Sequence, residues 1–409
     1  MKFLFIHQNF PSQFRFLAPK LVELGHEVCA FTLQNTEAQT WRGVKLIRYS
    51  LSRSNATDGH PWTVDFESKV VRAEACMRAS MELKKRGYYP DIIIAHPGWG
   101  ESLFLKQVWP KALMKLYCEF FYAATGQDVG FDPEFANKDD ADIGRVLLKN
   151  SNILLHFQHA DSGISPTHWQ ARTFPKEISD RITVIHDGID THTVKPNHAA
   201  ELQVNDQLVV SRKDEVITFV SRSLEPYRGF HTFVRCLPTL LAERPNAHVL
   251  IVGKEGYSYG GVPPNGRSWK PHFLQEIDTQ LDDNQRSRIH FLGSIPYTKF
   301  VTLLQVSTVH VYLTYPFVLS WSLLEAMSAA CAVVASATQP LAEVITDNEN
   351  GILTDFFNPN ELAGKISNLL NDEDTRIRLG EAARNFAVRN FDLESVCLPK
   401  QLIWSQSVE

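Results

Sequence analysis

Short apolar runs alternate with longer stretches of helical period along this chain. Lys2–His7 is such a run, broken at Asn9-Phe10-Pro11. An amphipathic helix is predicted from Gln13, with Phe14, Leu17, Leu21 and Leu24 on one face and Gly25 closing it. Val28–Leu33 and Val44–Tyr49 are strand candidates, Val64–Arg86 reads as a long helix, and Asp91–Ala95 is a strand apolar on both faces. Continuous apolar strands between helices predict a parallel sheet covered on both sides. Arg181–Ile185 is the last strand predicted for this first half.

The stretch Thr191–Lys213 is polar and without period, and reads as a linker. The pattern then restarts with strands at Val216–Val220, His248–Val252, Ile289–Leu292, Val309–Leu313 and Val333–Ser336, and a helix at Phe230–Leu241. The expected organisation is therefore a first α/β domain over 1–190, a linker over 191–213 and a second over 214–385. A final helical stretch, 386–409, is expected to cross back onto the first domain. Two doubly wound sheets would place ligands at the carboxyl ends of their strands, in a cleft between the halves.

Composition narrows the class. A chain of 409 residues with 44% apolar and 21% charged residues is long enough for two or three domains. A formal charge of −5 argues against a nucleic-acid binder. The six cysteines are scattered singly, without metal-ligand spacing, and read as buried thiols of a reducing compartment. No run is long enough for a leader or a membrane span, so a cytoplasmic protein is expected. The basic helix end Lys84-Lys85-Arg86-Gly87 reads as a cationic C-terminus with a glycine cap, or as a peripheral contact with an anionic membrane face.

The loop after Val216–Val220 carries Arg222 and Arg228, six positions apart and just ahead of a helix. Two guanidinium forks so placed can reach one diphosphate; the plain alternative is pairing with Glu225 or another carboxylate. Further along, Phe317-Val318-Leu319-Ser320-Trp321-Ser322-Leu323-Leu324-Glu325 reads as a loop opening a helix. Ser322 and Glu325 have capping-box spacing, and the unpaired N–H groups of the helix start suit a phosphate. Gly253 lies in a loop that permits close backbone approach. In the first half, His96 ends a strand beside Trp99 and Glu101, which makes it a site candidate. Ser12 and Gln13 lie at a helix start, where Ser12 serves as N-cap or touches a ligand. Glu119–Tyr122 and Phe131–Phe135 mix carboxylates with aromatics, as carbohydrate subsites and packed loops both do.

The 317–345 region, with the Arg222–Arg228 loop and Gly293-Ser294-Ile295-Pro296, resembles the donor site of retaining family-4 glycosyltransferases. The nearest resemblance is to cyanobacterial and proteobacterial members that build exopolysaccharide or envelope polysaccharide. It implies a GT-B fold, two Rossmann-like domains facing a central cleft, and transfer of a hexose from a nucleoside diphosphate sugar without a metal. UDP-glucose is the implied donor, a glycan or lipid-linked glycan the acceptor, and no further cofactor is implied. Arg222 and Arg228, with His96 opposite, are the implied catalytic set. Gly253, Ile295, Leu319, Ser320, Trp321, Ser322, Leu324 and Glu325 are the implied donor contacts, Glu325 on the ribose. Ser12, Gln13, Trp99 and Glu101 fall on the acceptor or sugar side. The family has two glutamates eight positions apart; here Phe317 stands where the first would be. A UDP-sugar 2-epimerase shares this architecture, and Phe317 also suits a non-catalytic nucleotide-sugar binder. No G-x-G-x-x-G follows the first strand, which disfavours a dehydrogenase.

Overall fold

The computed structural model describes residues 1–34, 37–137, 139, 141–263, 266 and 268–407. The chain divides into two compact units: one of residues 1–129, 137–187 and 394–409, the other of residues 130–136 and 188–393. The division departs from the expected one in three ways. Residues 130–136 leave the first unit and pack in the second; the return to the first unit begins at 394 rather than 386; and 191–213 is no linker. That polar stretch contains an antiparallel hairpin, whose Leu202 and Val210 bury against the second unit's core.

The strands of the first unit are β1 (Lys2–Ile6), β2 (Glu27–Thr32), β3 (Thr40–Trp41), β4 (Val44–Arg48), β5 (Ile92–Ala95), β6 (Leu113–Tyr117), β7 (Ser162–Ser165) and β8 (Ile182–Val184). They form one sheet in the order β3-β4-β2-β1-β5-β6-β7-β8, parallel except for the edge strand β3. Both faces are covered: Leu4 and Ile6 enter one apolar cluster, while Phe3 and Phe5 enter the other. The order reverses direction between β1 and β5, whose registers pair Phe3 with Ile92 and Ile6 with Ala95. Such a switch point opens a crevice at the carboxyl ends of the two strands. The returning segment is held by Lys115, whose Nζ donates to the Trp404 carbonyl at 2.6 Å, and by Gln401, which donates to the His186 carbonyl at 2.8 Å.

The second unit holds the hairpin β9 (Glu201–Asn205) and β10 (Leu208–Ser211), then β11 (Val216–Ser223), β12 (His248–Lys254), β13 (Ile289–Gly293), β14 (Val309–Tyr312), β15 (Ala332–Ser336) and β16 (Ile352–Thr354). The last six make a parallel sheet in the order β13-β12-β11-β14-β15-β16. Alternation again sorts side chains to two faces, with Val249 and Ile251 in one cluster and Leu250 and Val252 in the other. Its switch point lies between β11 and β14, where Ile217 pairs with Val309 and Phe219 with Val311. Among the described residues no helix is long and apolar enough to cross a membrane.

Candidate functional site

Each sheet brings chemistry-bearing residues to its own switch point. In the second unit the loops leaving β11 and β14 meet through Arg228. Its Nη1 donates to Thr314 Oγ1 at 2.9 Å and to the Val318 carbonyl at 3.0 Å, and lies 3.4 Å from the Tyr312 hydroxyl. The residue is only 6% exposed, yet no carboxylate among the described residues pairs with it. The two bonds use both hydrogens of Nη1. Nε and Nη2 make no hydrogen bond and are not sealed from solvent, so three N–H donors remain open. Arg222, by contrast, is exposed and has no partner among the described residues. The expected alternative, pairing with Glu225, does not occur. That carboxylate is fully buried, and its Oε2 accepts the N–H groups of Ser258, Tyr259 and Gly260 at 2.9, 3.1 and 3.0 Å.

The 317–325 segment differs from expectation in its capping. The helix runs Trp321–Ser328 with Ser320, not Ser322, as N-cap. Ser320 Oγ accepts from the Ser322 backbone N–H at 3.3 Å and from the Ser322 hydroxyl at 2.9 Å. Glu325 therefore lies two residues past the N3 position that a capping box uses, and the capping-box reading falls. Its carboxylate, 6% exposed, instead accepts from the Tyr297 hydroxyl at 2.8 Å. The Ser320 N–H donates to Tyr312 at 2.8 Å, so the Arg228 cluster and the helix start share one hydroxyl. Leu324 is 1% exposed and belongs to the core, while Leu319 and Trp321 are half-buried. Phe317 is 4% exposed and packs on Tyr227 and Tyr259, with ring centroids 5.6 and 5.1 Å away. Gly253 sits where a Cβ would meet Leu224 at 2.7 Å and the Ser221 carbonyl at 3.0 Å, so the loop after β11 needs glycine there to approach. Ile295 is half-buried in the turn after β13, against the core face.

In the first unit, His7 follows β1 and His96 follows β5, with ring centroids 5.5 Å apart across the switch point. His96 stacks on Tyr117 and Trp99, at 5.5 and 6.1 Å between centroids. Its Nδ1 accepts the Gly98 N–H at 3.1 Å, which assigns the proton to Nε2. That nitrogen faces Glu119 Oε2 at 3.5 Å, and Gln13 Nε2 lies 3.5 Å from the other oxygen of the same carboxylate. A Cβ on residue 98 would stand 2.7 Å from the imidazole, so the ring's place depends on glycine there. Burial, then the neighbouring His96, pushes the His7 pKa down to about 3. Glu119, from the carboxylate–aromatic stretch that the sequence offers as a carbohydrate subsite, joins this group. His7 is the member that the sequence does not single out; its strand-tip position is the one signal it offers.

Two acceptor-side expectations change. Glu101 is fully buried, its Oε1 accepting from the Tyr49 hydroxyl at 3.2 Å, and burial raises its pKa; it is closed to any acceptor. Ser12 caps no α-helix. It opens a short 3₁₀ turn, Ser12–Phe14, and donates to Gln13 Oε1 at 2.6 Å; the α-helix begins only at Leu17. Phe131–Phe135 is a packed loop of the second unit, with Asp132 bonded to His231 and Tyr315, and Glu134 to Arg235.

The sequence matches two family profiles: Glycosyl transferase family 4 group over residues 24–194, and Glycosyl transferases group 1 over 203–386. D-inositol 3-phosphate glycosyltransferase of Corynebacterium efficiens is 28% identical over 231 residues, 56% of this chain and 51% of that protein. Spore coat protein SA of Bacillus subtilis is 27% identical over 230 residues, 54% of this chain and 58% of that protein. The matches thus span about half the length of these curated relatives. Among solved structures, sucrose-phosphate synthase of Thermosynechococcus elongatus superposes with a TM-score of 0.74 at 17% identity, covering 99% of this chain and 98% of that one. Anabaena HepE, in complex with UDP and glucose, gives 0.68 at 15% identity, with 100% of both chains covered.

Proposed function

The chain belongs to the family-4 group of glycosyltransferases, with the GT-B fold, and from that premise we propose that it moves a hexose from a UDP-sugar to a glycan or lipid-linked acceptor. Glucose is the hexose of this reading, transfer proceeds with retention, and neither metal nor cofactor takes part. The route belongs to cytoplasmic polysaccharide synthesis, with peripheral contact at the membrane's inner face.

The observation that carries the reading is Arg228. A buried guanidinium without a carboxylate is costly unless an anion completes it, and its open N–H donors fit a diphosphate fork. Exposed Arg222 supplies a second cation from the same loop, and the start of the Trp321–Ser328 helix adds oriented N–H groups. Together they would stabilise charge on a departing UDP, the term that dominates such a step. Glu325 takes the ribose hydroxyls, alongside Tyr297. In the first unit, His96 presents Nε2–H towards Glu119, an arrangement suited to orienting a hydroxyl and shuttling its proton. HepE's complexes with UDP and with UDP-glucose support the choice of donor.

Phe317, buried among aromatics, favours one rival: a protein that binds nucleotide sugar without transferring it. Incubation with labelled UDP-glucose and a mixed glycan acceptor separates the two. Transfer, or slow hydrolysis to glucose and UDP, supports the enzyme; binding without turnover supports the rival; an epimer in the nucleotide pool would replace both.

A further inference from the structure

Residues 257–260 are tied to the β11 loop by an arrangement that the donor reading does not use. Glu225 receives three consecutive backbone N–H groups, from Ser258, Tyr259 and Gly260, on one oxygen. Ser258 Oγ lies 2.6 Å from Ser223 Oγ, a second tie between the same two loops. A Cβ at Gly260 would stand 3.3 Å from the Tyr227 ring and 3.5 Å from the Glu225 carboxylate, so the approach leaves little room. The outcome of these contacts is the position of one ring. Tyr259 stacks on Tyr227 at 6.2 Å between centroids, the planes inclined by 30°, and lies against Phe317 at 5.1 Å. The Arg228 guanidinium stands 5.4 Å from the Tyr259 centroid and 5.9 Å from that of Phe317. Tyr259 itself is 37% exposed, while Phe317 beneath it is buried.

We infer that Glu225 is a positioning residue: it clamps residues 257–260 so that Tyr259, backed by Phe317, holds Arg228 as a preset receptor for the donor's diphosphate. The inference rests on the donor reading and assigns it two further residues, Glu225 and Tyr259. An arginine held by hydrogen bonds to Thr314 and Val318 and packed against aromatic rings has few rotamers left to lose on binding an anion. A guanidinium against ring faces is stabilised without being neutralised, which a carboxylate neighbour would not allow. Phe317 thereby gains a role. The aromatic residue at this position keeps the arginine's charge available, where a glutamate beside it would pair with it.

The test uses the full chain and two probes, inorganic pyrophosphate and UDP, titrated by calorimetry into the parent and into Tyr259→Ala, Tyr259→Phe, Glu225→Ala and the double Ala variant. Tyr259→Ala and Glu225→Ala are each expected to weaken pyrophosphate by about threefold to tenfold. Tyr259→Phe should stay within about twofold of the parent, and the double variant should bind no worse than the weaker single one, because both act through one loop. Pyrophosphate affinity unchanged in both Ala variants, or losses that add in the double variant, would overturn the clamp. Should Glu225→Ala fail to fold, the comparison of Tyr259→Ala with Tyr259→Phe decides alone, since that ring is partly exposed. UDP binding the parent no more tightly than pyrophosphate would overturn the nucleotide reading and leave the clamp standing.

Discussion

At the switch point of the second sheet an arginine is buried and pairs with no carboxylate among the described residues; at that of the first, two imidazoles and a carboxylate stand together. The cores of the two sheets are alike, parallel strands whose order reverses beside the first strand of each. Only the loops differ. Loops after β11 and β14 are tied to each other through a cation, which leaves a site complementary to anions. Those after β1 and β5 present two imidazoles, His96 stacked on Tyr117 and Trp99, which suits hydroxyl groups and proton movement. A common fold therefore does not dictate a common site; the residues at the strand tips do.

Acid should separate the two units most widely. In the first, burial holds His7 near a pKa of about 3, and His156 and His186 near about 4; in the second, His310 is held near about 3. His248 and His290, also lowered but half-buried, add less to the second. An unfolded histidine takes up its proton near pH 6.5, whereas these stay neutral in the folded state down to about 4. The unfolded chain then binds more protons, so stability is complete above about pH 6.5 and falls as pH drops through that window. Each such group contributes at most about 1.4 kcal/mol per pH unit. Three against one predicts that the first unit loosens first. Peptide-resolved hydrogen exchange at pH 7 and pH 5, normalised for intrinsic rates, checks it; equal loss of protection in both units would break this part of the comparison.

The second contrast is between anion and hydroxyl chemistry. Arg228→Ala removes a charge-assisted fork and should weaken UDP by on the order of tenfold to a hundredfold. His96→Ala should leave UDP affinity within about twofold while abolishing most transfer. Calorimetry beside a transfer assay reads both. If His96→Ala weakened UDP as much as Arg228→Ala did, the division of labour would be wrong.

Much of this was legible beforehand, and the remainder had physical reasons for staying hidden. Apolar runs such as Ile92–Ala95 and Val309–Tyr312 mark strands buried on both faces, and no other element competes for that pattern. β7, Ser162–Ser165, contains two serines and a glycine and carries no such signal. The hairpin at 201–211 reads as linker in the sequence because only alternate residues bury, Leu202 and Val210 among polar neighbours. Spacing suggests a capping box at Ser322 and Glu325, but the N-cap lies two residues earlier, at Ser320, and the helix starts at Trp321. Arg222 and Arg228 could be picked out by type and spacing; that one is buried and the other exposed could not. Glu225 looked like a partner for those arginines. Its three backbone donors come from residues more than thirty positions later, which no local pattern reveals.

A smaller effect bears on how the second unit reads a sugar. With Phe317 buried behind Tyr259, this position supplies no acceptor for a sugar hydroxyl. On the proposed donor reading, the hexose would be left to the backbone of Leu319–Ser322 and to hydroxyls already engaged with each other, Ser320 and Ser322. UDP, UDP-glucose and UDP-galactose are therefore expected to bind within about tenfold of one another, because a site without a committed polar partner imposes no large penalty on the wrong isomer. A panel of dissociation constants checks it. UDP-glucose more than about a hundredfold tighter than both others would amount to roughly 2.7 kcal/mol of sugar-specific contact and would sink this account of Phe317.

The smallest expected effect concerns Glu325, where the second unit's contacts with diphosphate and with nucleoside can be told apart. Its carboxylate accepts from Tyr297 and lies beyond capping reach, so Glu325→Gln keeps an acceptor for that hydroxyl and should leave thermal stability nearly unchanged. A ribose, however, offers two hydroxyls to a carboxylate, and an amide has a single acceptor oxygen for them. UDP affinity should fall about threefold to tenfold, the scale of one hydrogen bond. Pyrophosphate, which has no ribose, should bind as to the parent. That pairing of results assigns Glu325 to the nucleoside side and leaves the diphosphate to Arg222 and Arg228. If both probes weakened together, Glu325 would instead be supporting the helix start at Trp321. If neither did while the melting temperature dropped, the carboxylate would be holding Tyr297 in place and reading no ligand at all.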